Sequence, residues 1–267
     1  MRVAVAQMRS GPDVEANLEA VARLIARAAD YGAEFVGLPE CYAHLGPEQE
    51  KLGCAEPIEP KGPILSRVAE LAREHRIYVL AGGHWERGPD PAHVFNTSVM
   101  LDPEGRVLGA YRKIHLFDVS LRDGTVIEES RTTAPGDELT VVPMPFGVLG
   151  LSICYDLRFP ELYRGLVARG ATALSVPSAF TAQTGKDHFA VLLRARAIES
   201  QCYVLAPAQW GRHFGSRVSH GHACIVDPWG TVVAECSDGE GVAVATVDPE
   251  YVAAVRASVP SLRHRRL

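Results

Sequence analysis

Apolar residues recur along the chain at two periods. Residues 2–7, Arg2-Val3-Ala4-Val5-Ala6-Gln7, make a short apolar run of the kind a buried strand has. Leu18, Val21, Ala22 and Ile25 follow at helical spacing and predict a helix over about residues 14–31. Residues 34–38 form a second strand-like run that ends at Pro39-Glu40. Leu65, Val68, Ala69 and Ala72 predict a second amphipathic helix, and residues 77–82 a third buried strand. Residues 96–101 and 106–111 then read as strands joined through Asp102-Pro103-Glu104-Gly105, a turn signal. Residues 112–146 carry no clear period. Val148–Cys154 is a buried strand, and Pro160–Arg169 a helix opened by proline at its first turn. A strand at 173–176 and a helix from about 187 to 200 follow. The remaining strands fall at 203–206, 222–226, 231–234 and 242–247.

Asp227-Pro228-Trp229-Gly230, between two of these last strands, echoes the earlier Asp-Pro-x-Gly turn. Each half of the chain thus alternates strands with two helices and closes on a hairpin. Two such halves predict an α/β fold of four layers, an αββα sandwich with two sheets face to face and helices outside. A length of 267 residues fits one large domain or two small ones. The lack of a Gly/Ser-rich linker favours one domain over residues 1–267.

With 27 basic and 32 acidic residues the formal charge is −5, and no basic stretch offsets it. Nucleic acid and anionic membrane surfaces are therefore poor partners. The longest apolar runs, such as Gly147–Cys154, are too short to span a bilayer. The first residues lack the ordered regions of a secretory signal. None of the six cysteines, Cys41, Cys54, Cys154, Cys202, Cys224 and Cys236, forms a CxxC pair. Free thiols in a reducing, cytoplasmic compartment are the expectation.

Three reactive side chains stand at or just beyond the ends of apolar strands, where open α/β sheets carry their sites. Glu40 follows a buried run and a proline. If desolvated it suits proton transfer; if not, it is a solvated loop acid. Lys113, in Tyr111-Arg112-Lys113-Ile114-His115, is either an oxyanion or carboxylate partner or a surface lysine with an extended stem. Cys154 ends a strand before a turn into a helix, an elbow that exposes a nucleophile beside backbone N–H groups. The other reading is a buried core thiol. His220-Gly221-His222 is weak as a metal pair, and no nucleotide-binding glycine loop is present.

Taken in order, Leu38-Pro39-Glu40, Tyr111-Arg112-Lys113-Ile114-His115-Leu116 and Ile153-Cys154-Tyr155-Asp156-Leu157-Arg158-Phe159-Pro160-Glu161-Leu162 resemble the nitrilase, or carbon–nitrogen hydrolase, superfamily. The opening VAVAQM and residues 222–230, HACIVDPWG, fit as well. The resemblance implies an αββα sandwich and an amidase that uses a Glu40-Lys113-Cys154 triad with no metal and no cofactor. It implies Glu129 as the second glutamate, with Glu128 the alternative, and the Tyr155 backbone N–H as an oxyanion donor. Pro177-Ser178-Ala179-Phe180 and Ala208-Gln209-Trp210-Gly211-Arg212-His213 are most similar to the branch acting on α-keto-acid amides. That branch implies a small-molecule amide substrate with a carboxylate, Arg158 as its clamp, and Phe180, Thr181 and His188 as pocket lining. The alternative for Arg158 is an ion pair with Asp156 or Glu161. Homo-oligomers, dimers or larger, are implied too. Gly185-Lys186-Asp187-His188-Phe189 departs from the superfamily's Gly-Pro-Ala-His-Trp, which affects the rim and not the triad.

Overall fold

The computed structural model describes residues 1–120, 124 and 126–266. The elements of the first half are β1 (Arg2–Met8), α1 (Val14–Asp30), β2 (Phe35–Gly37), α2 (Lys51–Cys54), α3 (Pro63–His75), β3 (Tyr78–Arg87), β4 (Val94–Leu101) and β5 (Val107–Arg112). A small hairpin, β6 (Asp118–Ser120) and β7 (Val126–Glu128), leads out of it. The second half holds β8 (Val141–Met144), β9 (Gly147–Leu151), α4 (Pro160–Ala168), β10 (Ala173–Ser175), α5 (Ala182–Ser200), β11 (Tyr203–Ala206), β12 (Ala208–Arg212) and β13 (Val218–His220). It continues through β14 (Cys224–Val226), β15 (Val232–Glu235), β16 (Gly241–Thr246), α6 (Pro249–Ser258) and α7 (Ser261–His264).

Two sheets carry the fold. In the first, β1, β2 and β3 run parallel, β4 and β5 continue antiparallel, and β16 lies antiparallel on the far side of β1. In the second, β9, β10 and β11 are parallel, β14 and β15 continue antiparallel, and β8 lies antiparallel beyond β9. These six strands match the other six in order, and the first sheet has two more, β12 parallel to the end of β1 and β13 antiparallel to β12. The Asp-Pro-x-Gly turns match as well. Asp102 Oδ1 accepts from the N–H groups of Glu104 and Arg106, and Asp227 Oδ1 from those of Trp229 and Thr231. Gly105 and Gly230 close these turns at φ of 73° and 88°, which a side chain rarely adopts. Each hairpin has its bulge at the same place, before Leu101 and before Val226.

Alternation along β1 explains the layering. Val3 and Val5 enter the apolar core that joins the two sheets, whereas Ala4, Ala6 and Met8 face α1 and α3. α1 begins where Asp13 accepts the N–H of Ala16, and it buries Val21, Leu24, Ile25 and Ala28 on that face. α5 begins at 182, five residues before the expected start, because Thr181 caps it through the N–H of Thr184. The strand expected at 148–154 ends at Leu151, and residues 154–158 turn instead into a short 3-10 helix.

Candidate active site

The ends of β2, β5 and β9 converge on one cavity of about 750 Å³. Glu40 lies three residues past β2 and is 5% exposed. Its Oε1 accepts from Lys113 Nζ at 2.9 Å and from Asn96 Nδ2 at 2.9 Å, and its Oε2 accepts the N–H of Ala179 at 3.0 Å. Lys113, 2% exposed at the end of β5, also donates to Glu129 Oε2 at 2.8 Å. Neither is the solvated side chain of the bland alternative. Glu129 Oε2 further accepts the N–H of Phe117 at 2.7 Å, while Glu128 points outward to Arg131. Of the two neighbouring glutamates, Glu129 is the one that meets Lys113.

Cys154 sits at the turn after β9 with φ of 47°, and its N–H is held by Pro177 O at 2.9 Å. A left-handed backbone at a non-glycine residue costs about 1–3 kcal/mol, and such strain concentrates at functional turns. Here it aims the thiol into the cavity, where Glu40 and the N–H of Ala179 face it. Burial and the Glu40 charge push the thiol well above its usual range, and Lys113 offsets this only in part. Burial opposes the charge of Lys113, yet Glu129 and Glu40 outweigh it and hold the ammonium protonated well above its ordinary value. Burial likewise opposes ionisation of Glu129, but Lys113 and the Phe117 N–H keep its carboxyl below the usual range.

Tyr155, Arg158, Phe180 and Thr181 line the same cavity. The Arg158 guanidinium lies 5.3 Å from the centre of the Phe180 ring and 5.8 Å from that of Tyr155. His188 stands behind it, its Nδ1 3.3 Å from Arg158 Nη1, and is not part of the cavity lining. The expected alternative for Arg158, a pair with Asp156 or Glu161, is not formed. Asp156 accepts from Tyr111, His115 and the N–H of Ile153 instead, fixing the elbow from beneath. His115, whose Nδ1 lies 2.7 Å from Asp156 Oδ1 and whose ring stacks on Phe159, is not among the residues that line the cavity. Among the described residues no group of three potential metal ligands occurs, and no helix is long and apolar enough to cross a membrane.

Two neighbours, Asn96 and Arg217, escaped sequence reasoning, while Cys41 is near the site as its place beside Glu40 suggests. Asn96 donates to Glu40 and, at 3.3 Å, to Glu129, tying the two carboxylates together. The available signal was an asparagine inside the buried strand β4. Cys41 lines the cavity beside Glu40 with φ of 58°. Arg217 reaches the cavity from the loop before β13; nothing in the local sequence marks it.

The model of the family described as carbon–nitrogen hydrolase matches residues 2–257, and the chain belongs to that family. It is 46% identical over 265 residues to the deaminated glutathione amidase of Synechocystis sp., covering 98% of this chain and 97% of that one. It is 44% identical over 269 residues to the human deaminated glutathione amidase, covering 99% and 82%. Among solved structures, the Caenorhabditis elegans NitFhit protein superposes with a TM-score of 0.93 at 43% identity. That match covers 99% of this chain, which spans 65% of the longer NitFhit chain. Saccharomyces cerevisiae Nit3, a member of branch 10 of the nitrilase superfamily, gives 0.89 at 34% identity, covering 100% and 97%.

Proposed function

We propose that the chain hydrolyses the amide of deaminated glutathione to α-ketoglutarate and Cys-Gly through a thioester on Cys154. The carrying observation is the Lys113 ammonium between Glu40 and Glu129, beside the strained thiol of Cys154. The names and identities of the relatives support the substrate, as does the cavity. A volume of about 750 Å³ suits an extended ligand of some twenty non-hydrogen atoms better than a five-carbon keto-acid amide.

In this reading the thiol attacks the amide carbon as Glu40 takes its proton, so a new C–S bond forms and the carbonyl oxygen becomes an oxyanion. The Lys113 ammonium and the N–H of Tyr155 stabilise that charge; loss of one such donor typically costs on the order of 10²–10³ in rate. Glu40 then protonates the amine of Cys-Gly as the C–N bond breaks. Glu40 next takes a proton from water, whose oxygen attacks the thioester carbon; as the C–S bond breaks, Glu40 returns that proton to Sγ and the thiol is regenerated. Glu129 holds Lys113 in place, and Arg158 binds the keto-acid carboxylate with Phe180 and Thr181 as walls. His188 supports the guanidinium from behind. The same reading takes residues 1–267 as one hydrolase domain, acting as a homodimer or larger assembly in the cytoplasm.

Cys154→Ala tests it. The variant is expected to fold, shown by an unchanged circular dichroism spectrum, and to release no Cys-Gly. Mass spectrometry of wild type quenched during turnover is expected to find the α-ketoglutaryl group on Cys154. Retained turnover in the alanine variant would overturn the assignment. Release of ammonia from α-ketoglutaramate at a higher kcat/KM than Cys-Gly release would move the substrate to the shorter amide.

A further inference from the structure

Five cationic side chains of Lys and Arg line the cavity, and three of them are matched by carboxylates. Lys113 pairs with Glu40 and Glu129, Lys51 with Glu48, and Arg131 with Glu128. Among the described residues, Arg158 and Arg217 have no acidic partner. Arg217 is held at its root by the turn of residues 213–217, where its N–H donates to Phe214 O and its carbonyl accepts from His213. Its Nη2 reaches Ala179 O at 3.3 Å. Among the described residues its Nε is buried and has no hydrogen-bond partner. A buried guanidinium N–H left unpaired is costly, and a ligand that supplies an acceptor recovers that cost.

Both arginines touch the Ala179-Phe180 segment, Arg158 at the Phe180 ring and Arg217 at the Ala179 carbonyl. Arg217 and Cys41 line the same cavity, and Glu40, the neighbour of Cys41, hands the proton to the departing amine in the proposed reaction. Arg158 lies with Tyr155, on the side where the acyl oxygen is held. We propose that Arg217 is a specificity-determining residue that binds the terminal carboxylate of a peptide-like leaving group. The site then reads two carboxylates at once, one on each side of the scissile amide. This rests on the substrate reading above and extends it. A substrate with a carboxylate only on its acyl side leaves Arg217 unsatisfied and is discriminated against. Arginine suits the task because its planar fork matches a carboxylate with two parallel bonds.

The test measures kcat and KM of wild type, Arg217→Ala and Arg217→Lys on three amides of α-ketoglutarate. These are deaminated glutathione, the same compound with its glycine carboxylate converted to the neutral amide, and α-ketoglutaramate. Arg217→Ala is expected to raise KM for deaminated glutathione about ten- to a hundredfold more than for the other two, the range of a hydrogen bond to a charged group. Arg217→Lys is expected to recover part of that loss. Wild type is expected to prefer the free carboxylate over its neutral amide by a similar factor. Equal effects of Arg217→Ala on all three amides would overturn the proposal, because an arginine that merely braces Ala179 acts on every substrate alike. No effect on any would overturn it too. Failure of wild type to cleave any of the three would instead refute the substrate reading, and the present inference with it.

Discussion

Lys113→Met is the perturbation that separates the electrostatics of this site from its packing. The side chains are similar in length and both apolar along their stems, so the change chiefly deletes the ammonium. Two buried carboxylates then remain, Glu40 and Glu129, both bonded to the one amide of Asn96 at 2.9 and 3.3 Å. Removing one partner of a buried ion pair costs about 3–5 kcal/mol. A tenfold change in a protonation equilibrium is worth about 1.4 kcal/mol, so a carboxylate stranded in this way relieves the cost by taking a proton. In wild type Glu129 sits below the usual carboxylate range, so its contribution is full above the unfolded value and fades as pH falls through the folded one. In the variant the sign reverses. A carboxyl raised above its unfolded value contributes most in acid and loses stability as pH rises through its folded value. Urea denaturation at pH 5 and pH 8 measures this. Wild type is expected to be no less stable at pH 8, whereas Lys113→Met is expected to lose about 3–5 kcal/mol there and markedly less at pH 5. The double variant with Glu129→Gln removes one of the two charges and is expected to recover part of the loss at pH 8. An equal loss at both pH values, or no recovery in the double variant, would refute the reasoning.

Arg158→Ala is expected to raise KM for α-keto-acid amides by about ten- to a hundredfold, and far less for uncharged amides, in steady-state assays of both. Gly82→Ala places a Cβ against Leu38 O and Pro177 Cβ, the segments that lead to Glu40 and Ser178. It is expected to cost about 1–3 kcal/mol in denaturation experiments and to lower kcat, since Glu40 shifts with its backbone. His84 is pulled down to about 4 by burial, with its Nδ1 on the Tyr42 hydroxyl at 2.9 Å. Its unfolded value is near 6.5, so unfolding takes up a proton between those limits. Stability is expected to fall by up to about 3 kcal/mol as pH drops from 6.5 to 4, and His84→Gln to flatten that slope in a pH series of melts.

The layers of the fold were legible because burial leaves a local period. β1, α1 and α4 lie within two residues of their expected ends, and α3 contains the whole predicted stripe from Leu65 to Ala72. α6 was missed although Asp248 caps it and Pro249 opens it, because only Val252 and Val255 are buried and the apolar stripe is short. β12 and β13 were missed for another reason. β12 joins the first sheet at the end of β1, with Gln7 and Met8 opposite Ala208 and Gln209, a pairing set by tertiary position. The site divided in the same way. Glu40, Lys113 and Cys154 each follow a strand and carry a reactive group, so order along the chain exposes them. Asn96 and Arg217 act through partners 33 or more residues away, and a single chain read locally holds no trace of that.

The internal repeat sharpens why the site is asymmetric. Val3 pairs with Phe35 in the first half as Leu149 pairs with Ala173 in the second. By that register Glu40 corresponds to Ser178, with Pro39 matching Pro177, and Cys154 corresponds to Met8. The two halves therefore spend the same strand-end positions differently. The first supplies the carboxylate and, on a β4–β5 hairpin that pairs on to Thr97 and Arg112, carries Asn96 and Lys113 out to the cavity. The matching β14–β15 hairpin stops pairing at Cys224 and Glu235. The second half supplies the thiol and the Ala179 N–H that binds Glu40. Neither half holds both Glu40 and Cys154. In the proposed reaction the base and the nucleophile meet only where the two sheets pack, so the core between the sheets is also what brings these two side chains together.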